Sequence, residues 1–232
     1  MSGTKYGNRL IVNIIDDRAK NEPEREWLSV PKTSNPKDGW KKMTYKQAAN
    51  AINRVAHKIA ETSGRPTEEG KFPTVAYIGP NDVRYPILAL GAVKAGYQAL
   101  FISPRNSQEG FINLFEKTDC RCVCFDASYR TTVQPWLQER DMKAIMVSSV
   151  EAWFPEQEVP PFPYNKTFEE AEWDPLMVLH TSGSTGLPKP IVCRQGMLAI
   201  ADKYHNLPDW NGKEVWIKAL ANNARRIFVP SG

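Results

Sequence analysis

The sequence predicts an α/β fold in which helices flank a doubly wound, mostly parallel sheet. Strand-length apolar runs alternate with helical stretches at least three times between residues 74 and 148. The first unit runs from a strand at 74–79 through a helix over 83–95 to a strand at 97–102, and Gly96 ends that helix where left-handed backbone is favoured. In such a β-α-β unit we expect parallel strands and a right-handed crossover.

Four elements are predicted before this unit: a helix over 8–20, a short strand at 27–30, a loop over 32–42 and a helix over 44–61. The second helix begins with a capping box, in which Thr44 accepts from the Gln47 amide while Gln47 reaches back. The loop is inferred from the polar character of residues 32–42, which include Pro36 and Gly39.

After the unit, Ser107 is predicted to cap a helix, and three further elements follow: a strand at 120–125, a helix over 129–140 and a strand at 143–148. Cys120, Cys122 and Cys124 alternate along the first of these strands, so we expect them on one face. Zinc sites favour C-x2-C spacing with further ligands, so we expect buried strand cysteines and no metal site. Disulfides are not expected in the cytosol.

Composition and charge argue against several classes of protein. The 232 residues are 41% hydrophobic and 24% charged, as in soluble globular proteins. The net charge of +4 is mild, and no dense Lys/Arg block suggests a nucleic-acid partner. No apolar run approaches the roughly 18 residues of a membrane helix, and residues 1–9 contain no apolar core of a signal peptide. We therefore expect a cytoplasmic chain without a membrane partner.

Four prolines within residues 155–163 predict a stiff, extended connector. We expect a first α/β subdomain over residues 1–154, a proline-rich connector over 155–175 and the start of a second α/β subdomain over 176–232. Within the last segment the pattern predicts a strand at 176–180, a return strand at 191–194, a helix over 196–204 and a strand at 227–229.

The most unusual stretch of the chain, Thr181 to Lys189, lies between the strand at 176–180 and the return strand. Gly183 and Gly186 allow positive φ and a close approach of the backbone to a ligand. Exposed amides in such a turn form a nest for anions, and Lys189 adds a positive charge suited to phosphate. Hydroxyl donors are added by Ser182, Ser184 and Thr185.

A phosphate-holding loop is one interpretation of this stretch, and a glycine–serine turn of a β-hairpin is the other. The order of hydroxyls, glycines and lysine favours the phosphate loop. It is not a Walker loop, because Leu187 and Pro188 separate the second glycine from the lysine and no helix begins there. His180 is expected to pack in the strand rather than bind a ligand, and Arg105 is expected to have a surface or structural role.

The stretch from Thr181 to Lys189 resembles the phosphate-loop signature of the adenylate-forming superfamily, which includes acyl-CoA synthetases, luciferases and the adenylation domains of nonribosomal peptide synthetases. Glycine usually follows the lysine in that signature, and Pro190 stands there instead. This form resembles a narrower group, the fungal synthetase-like carboxylate reductases, which join adenylation, carrier and reductase domains. The helix start at Thr44-Tyr45 and the junction at Lys94-Ala95-Gly96 resemble two further motifs of the superfamily.

The resemblance implies an enzyme that uses ATP and Mg2+ to convert a carboxylic acid into an acyl-adenylate and pyrophosphate. The thiol of coenzyme A or of a carrier protein would then take the acyl group. The resemblance also implies that the β- and γ-phosphates are held by Thr181, Ser182, Gly183, Ser184, Thr185, Gly186 and Lys189. It identifies no magnesium ligand and no catalytic residue in this chain.

The resemblance covers nearly the whole chain but only about the first half of a family adenylation domain, so we expect an incomplete N-terminal portion. The later motifs for ribose, adenine and magnesium and the mobile C-terminal domain are missing. The first hypothesis is a truncated carboxylate-activating enzyme of fungal secondary metabolism, inactive alone or completed by a separate C-terminal polypeptide. The alternative is a non-catalytic remnant that binds a nucleotide or a partner, and the prolines disfavour an independent phosphotransferase of the Walker type.

Overall fold

The computed structural model describes residues 6–32, 35–147, 149–181 and 186–203. Its strands are β1 (Glu26–Pro31), β2 (Trp40–Thr44), β3 (Thr74–Ile78), β4 (Gln98–Phe101), β5 (Cys120–Asp126), β6 (Lys143–Val147), β7 (Pro175–Thr181) and β8 (Lys189–Arg194). Its helices are α1 (Ile11–Asn21), α2 (Tyr45–Ser63), α3 (Arg84–Ala95), α4 (Gln108–Lys117), α5 (Arg130–Glu139), α6 (Phe168–Ala171) and α7 (Gln195–Asp202). The predicted strand at 227–229 and the end of the helix predicted over 196–204 lie outside the described residues.

Six of the strands form one sheet in the order β6-β5-β3-β4-β7-β8. Neighbouring strands from β6 to β7 are parallel, and β8 lies antiparallel to β7 at one edge. Because β4 and β5 lie on opposite sides of β3, the chain winds outward from β3 in both directions. The predicted doubly wound, mostly parallel sheet is confirmed.

Helices cover both faces of this sheet. Helices α1, α2 and α3 contribute to a first apolar cluster, and α4 and α5 contribute to a second. The central strand β3 serves both, since Val75 and Tyr77 belong to the first cluster while Ala76 and Ile78 belong to the second. All five residues of β3 are buried, as expected of a parallel strand covered on both faces. Of the helices described, none has both the length and the apolar character to cross a membrane.

Local signals set the helix boundaries as predicted. Thr44 Oγ1 accepts from the Gln47 N–H at 3.3 Å, and Gln47 Oε1 accepts from the Thr44 N–H at 3.0 Å, so the capping box of α2 is complete. Gly96 ends α3 with a φ of 84° in the left-handed region. Ser107 Oγ accepts from the Gly110 N–H at 3.1 Å and caps α4.

Two parts of the secondary structure differ from the prediction. The loop predicted over 32–42 is wrong in its last three residues, because Trp40–Thr44 forms β2 and pairs antiparallel with β1. The first three residues of β2 are exposed, so the strand lacks the apolar alternation that would reveal it in the sequence. Helix α6 was not predicted, and a capping box between Thr167 and Glu170 begins it.

The expectation that Cys120, Cys122 and Cys124 share one face of β5 is also wrong. The pairing register of β5 with β3 shifts between Thr74 and Val75, where β5 carries one extra residue. This bulge places Cys120 in the second apolar cluster, whereas Cys122 and Cys124 lie in the first. All four cysteines are buried and free, which confirms the predicted buried strand cysteines. Within the described ranges, no group of three or more His, Cys, Asp or Glu side chains could hold a metal ion.

The proline-rich connector packs along α2. Asn50 Nδ2 donates to the carbonyl oxygens of Pro155 at 3.1 Å and Gln157 at 2.8 Å. One turn further along the helix, Asn53 Oδ1 accepts from the Phe162 N–H at 3.1 Å. Beyond the connector the chain returns to the same sheet as β7. The division of the chain into two subdomains stays a prediction.

Candidate functional site

The candidate loop lies at the carboxyl edge of the parallel strands. Strand β7 is parallel to β4, with Val178 opposite Leu100, so the loops that follow these two strands emerge at the same edge. In open, doubly wound sheets, ligands bind in crevices outside the carboxyl ends of the strands. The position of the loop therefore agrees with a binding role.

The two ends of the loop meet. Thr181, the last residue of β7, pairs with Lys189, the first residue of β8, and both are exposed. Gly186 has a φ of 84°, and apart from its own chain neighbours no described residue has an atom within 4 Å of the place where its Cβ would be. The backbone at Gly186 is therefore open to a ligand. The other predicted site residues, Ser182, Gly183, Ser184 and Thr185, lie outside the described residues.

The hairpin interpretation and the phosphate-loop interpretation are compatible. Strands β7 and β8 are antiparallel neighbours and form a β-hairpin. That hairpin is what brings Lys189 to the side of Thr181. A phosphate role for the loop therefore depends on its charge and accessibility rather than on the arrangement of its strands.

Two positively charged side chains lie at this edge of the sheet. Lys189 begins β8, and Arg105 lies in the loop after β4; both are exposed, and neither forms an ion pair with another described residue. The exposure of Arg105 agrees with its predicted surface role. A cation without a carboxylate partner is available to phosphate oxygens, as a point charge for Lys and as a planar fork for Arg.

His180 joins the loop after β4 to the end of β7. Its Nε2 accepts from the Ser103 N–H at 3.1 Å and lies 3.4 Å from Nδ2 of Asn106. Because Nε2 accepts a hydrogen bond, the neutral ring carries its proton on Nδ1. Burial lowers the pKa of His180, so the imidazole is neutral near neutral pH. The predicted packing role thus includes a hydrogen bond that fixes one loop against the other.

Pro188 anchors the second end of the candidate loop. It is buried, and its carbonyl oxygen accepts from Asn113 Nδ2 of α4 at 2.8 Å. One turn earlier in α4, Gly110 lies against the proline ring, since a Cβ at Gly110 would approach Pro188 Cδ to 3.2 Å. Sequence reasoning missed both α4 residues. Their spacing of three predicts a shared helix side, but it does not reveal what that side contacts.

Arg84 lies at the same edge but is not available to a ligand. Its side chain is 3% exposed and donates to Asp82 at 2.7 Å and to Asp126 at 2.6 Å. Two carboxylates therefore satisfy the buried guanidinium, as a buried charge requires. Because Asp126 ends β5 and Arg84 begins α3, this cluster ties the ends of two neighbouring strands together and has a structural role.

Comparison with known proteins assigns the family. The family model of the AMP-binding enzymes matches residues 15–220 of the chain. The chain belongs to this family. The resemblance inferred from the loop between Thr181 and Lys189 is thereby confirmed, and the described end of β7, Gly186 and β8 lie inside the matched range.

Two curated fungal relatives of this AMP-binding chain are much longer than it is. A carboxylic acid reductase of Neurospora crassa is 63% identical over 226 residues, which are 97% of this chain and 21% of the reductase. The isocyanide synthase–NRPS hybrid crmA of Aspergillus fumigatus is 39% identical over 206 residues, which are 88% of this chain and 13% of the hybrid. The similarity to fungal carboxylate reductases is confirmed, and the chain spans only a small part of either relative.

Solved structures show the same fold. The N-terminal domain of FACL13 from Mycobacterium tuberculosis aligns with a TM-score of 0.60 and 23% identity, over 81% of this chain and 44% of that one. Acetoacetyl-CoA synthetase from Streptomyces lividans aligns with a TM-score of 0.65 and 18% identity, over 85% of this chain and 32% of that one. The AMP-binding chain therefore has the fold of the N-terminal region of adenylate-forming ligases.

Proposed function

We propose that this AMP-binding chain is the phosphate-holding N-terminal portion of an adenylation domain. The complete domain would convert a carboxylic acid and ATP into an acyl-adenylate and pyrophosphate. The observation that carries the proposal is the pairing of Thr181 with Lys189 at the carboxyl edge of the sheet. This pairing sets an exposed ammonium beside a loop whose backbone is open at Gly186. Such a cation and free backbone amides stabilise phosphate charge.

The residues proposed to hold the β- and γ-phosphates are Thr181, Ser182, Gly183, Ser184, Thr185, Gly186 and Lys189. Lys189 would neutralise the phosphates, while hydroxyls and amides would orient them as negative charge grows on the departing pyrophosphate. Mg2+ would supply further neutralisation of the phosphate oxygens. Because the described ranges contain no acidic cluster that fits this ion, no residue is assigned to it.

The proposed substrate is a carboxylic acid, and the proposed acyl acceptor is the thiol of coenzyme A or of a carrier protein. The chain spans 21% of the Neurospora crassa reductase. Activity would require the remaining part of an adenylation domain, and a complementing C-terminal polypeptide is a further proposed partner. The similarity to a fungal reductase and to an NRPS hybrid supports a place in fungal secondary metabolism. We place this function in the cytoplasm.

ATP binding and carboxylate-dependent ATP–pyrophosphate exchange by the purified chain test the proposal. Lys189→Ala should weaken ATP binding at least about tenfold, since a charge-assisted hydrogen bond contributes about 1.5–3 kcal/mol. Lys143→Ala is the matched control, because Lys143 is also an exposed lysine at the first position of an edge strand. Its ATP affinity should equal that of the parent chain.

The second candidate function is a non-catalytic protein that binds a nucleotide through the same exposed Lys189 and Gly186. ATP binding that depends on Lys189, without exchange for any aryl or alkyl acid in a panel, would identify this function. Exchange above background would instead identify an active adenylation domain. A parent chain that binds no ATP, or that binds ATP equally well after Lys189→Ala, would refute the phosphate site itself.

A further inference from the structure

Exposed apolar side chains are concentrated in the last part of the described chain. Of the nine large hydrophobic residues that are exposed among the described residues, six lie between 173 and 200. They are Trp173, Leu179, Ile191, Val192, Met197 and Ile200. Soluble monomers rarely leave large apolar surfaces open, and where they do the surface marks a contact with another polypeptide or a ligand. Among the described residues, this concentration therefore marks a candidate contact surface.

On one face of the hairpin β7–β8, the apolar side chains of the core continue into apolar side chains that are exposed at the surface. Met177 and the cross-strand residue Cys193 are buried in the first apolar cluster. The next pair on the same face, Leu179 and Ile191, is 40% and 48% exposed. Because cross-strand neighbours lie side by side, this pair is one apolar surface rather than two isolated side chains.

Helix α7 presents a second exposed apolar pair directly after the hairpin. Met197 and Ile200 are 49% and 57% exposed, and a spacing of three residues puts them on one side of the helix. The residues between them face the protein, since Ala199 is buried and Leu198 packs against the first cluster. Helix α7 therefore has apolar side chains on its inner side and on its outer side, as a helix buried between two layers does.

The partner should bind the side chains of this surface rather than extend the sheet. Strand β8 is an edge strand among the described residues, but Pro190 removes a backbone donor and Lys189 and Arg194 place charges at its two ends. Proline and charged side chains are the features by which edge strands resist pairing with another strand. The apolar face, by contrast, carries no such protection at Leu179 and Ile191.

We propose that the two exposed apolar pairs, Leu179–Ile191 on the hairpin and Met197–Ile200 on α7, bind the remaining part of the adenylation domain. The inference deepens the proposed function and rests on the family rather than on nucleotide binding. In FACL13 the aligned region is 44% of the solved N-terminal domain, so more than half of that domain lies outside it. The hairpin and α7 are the last described elements within the family match, so the remaining half would meet the chain here.

Co-expression with a defined partner tests this surface. The partner is the stretch of the Neurospora crassa reductase that follows its matched 226 residues and completes its adenylation domain. The tagged parent chain should co-purify with it at a ratio of about one to one. Ile191→Asp and, separately, Ile200→Asp should reduce the recovered partner at least tenfold, because a charge would be buried in the contact.

Met146→Asp is the matched control. Met146 is 46% exposed in β6, the edge strand at the opposite side of the sheet, so its substitution alters strand propensity and charge as Ile191→Asp does. It should leave recovery of the partner unchanged. Two variants on different elements keep the test valid if one of them fails to fold, which circular dichroism would reveal.

Several results would overturn the inference. The parent chain could fail to retain the partner, or Met146→Asp could reduce recovery as strongly as Ile191→Asp. A homodimer that Ile191→Asp dissociates would assign the surface to a second copy. Hydrogen exchange of the amides of α7 and β8 gives a further check. If these amides are already protected in the parent chain and the partner adds no protection, the chain covers this face itself. Partner capture without ATP binding would support this surface and refute the phosphate site. ATP binding without partner capture would support the phosphate site and refute this surface.

Discussion

The backbone N–H of Ser103 donates a hydrogen bond to Nε2 of His180 across 3.1 Å. This bond links the loop after β4 to the strand that leads into the candidate phosphate loop. The two strands are parallel neighbours, so the bond fixes the relative position of their carboxyl ends. Arg105 and the loop that ends at Lys189 therefore emerge from a common, fixed edge.

Replacement of His180 should reveal the strength of this link. His180→Leu removes the acceptor and leaves the partly buried Ser103 N–H unpaired, so the free energy of unfolding should fall by about 1–3 kcal/mol. His180→Gln keeps an acceptor and should lose less. Urea denaturation of the parent and both variants gives the comparison. Equal stability of all three would show that the bond contributes nothing.

The stability of the chain should also depend on pH through His180. Burial lowers the pKa of this imidazole in the folded protein, whereas the unfolded chain has the ordinary histidine pKa. Unfolding therefore takes up a proton below about pH 6.5, and the free energy of unfolding should fall as pH decreases from about 7 to about 5. Denaturation across this range should show a smaller decrease for His180→Gln than for the parent. An identical decrease in both would assign the pH dependence to other groups.

Lys94 should contribute more to stability than a surface lysine. Its side chain is 1% exposed, and Nζ lies 2.7 Å from Asp16 Oδ2 and 2.7 Å from Asn53 Oδ1. Lys94→Met removes a buried charge that these oxygens satisfy, and the expected loss is about 1–3 kcal/mol because Asp16 keeps contact with solvent. Lys58→Met is the control, since the Lys58–Glu61 pair is exposed and should change stability by less than about 0.5 kcal/mol. Thermal and urea unfolding measure the loss of stability in each variant, and equal losses for Lys94→Met and Lys58→Met would contradict the expectation.

Asn50 should hold the proline-rich connector against α2. Its side chain contacts Pro155, Gln157 and Val159 of the connector through three hydrogen bonds. Asn50→Ala should lower stability by about 1–3 kcal/mol and speed cleavage by a glutamate-specific protease, because Glu156 and Glu158 lie in the released segment.

Asn13→Ala is the control for this experiment. Asn13 makes one side-chain hydrogen bond to the Lys166 carbonyl among the bonds of the described chain, outside the segment that carries these two glutamates. Its cleavage rate at Glu156 and Glu158 should equal that of the parent. Unchanged cleavage in Asn50→Ala would mean that the prolines alone keep the connector in place.

The four cysteines should be unreactive in the folded chain. All are buried, and burial raises the pKa of Cys120 to about 12 and raises the pKa of Cys122 and Cys193. Because the thiolate is the reactive form, a thiol reagent at about pH 8 should label the native chain slowly and all four thiols at once in denaturant. Fast labelling of even one thiol in the native chain would contradict this arrangement.

The features that could be predicted from the sequence are those set by local rules. The helix caps at Thr44 and Ser107 and the left-handed Gly96 each depend on residues within four positions, and all three are present. The parallel sheet was predictable because strands and helices alternate along the chain. The site was predictable only as a motif, since its glycines, hydroxyls and lysine are contiguous.

The features that could not be predicted depend on distant partners. The bulge that separates Cys120 from Cys122 arises from pairing with β3, and no residue of β5 itself indicates it. Strand β2 is polar and is recognisable only through its pairing with β1. The supports of the site, Asn113 beneath Pro188 and Ser103 beside His180, are about 75 residues from their partners in the chain.

Strand β4 pairs with β7, which is synthesised more than 70 residues later, and this delay has a consequence for biosynthesis. Ala99 and Leu100 of β4 are fully buried once β7 pairs with them, but β7 leaves the ribosome long after β4 does. Until then β4 is an apolar strand with one open edge, which is a template for association with other chains. A chain released after Asp174 should therefore need a chaperone to remain in solution, and a chain released after Lys203 should need it less. Soluble yields from cell-free translation with and without a chaperone would show whether β7 protects the open edge of β4.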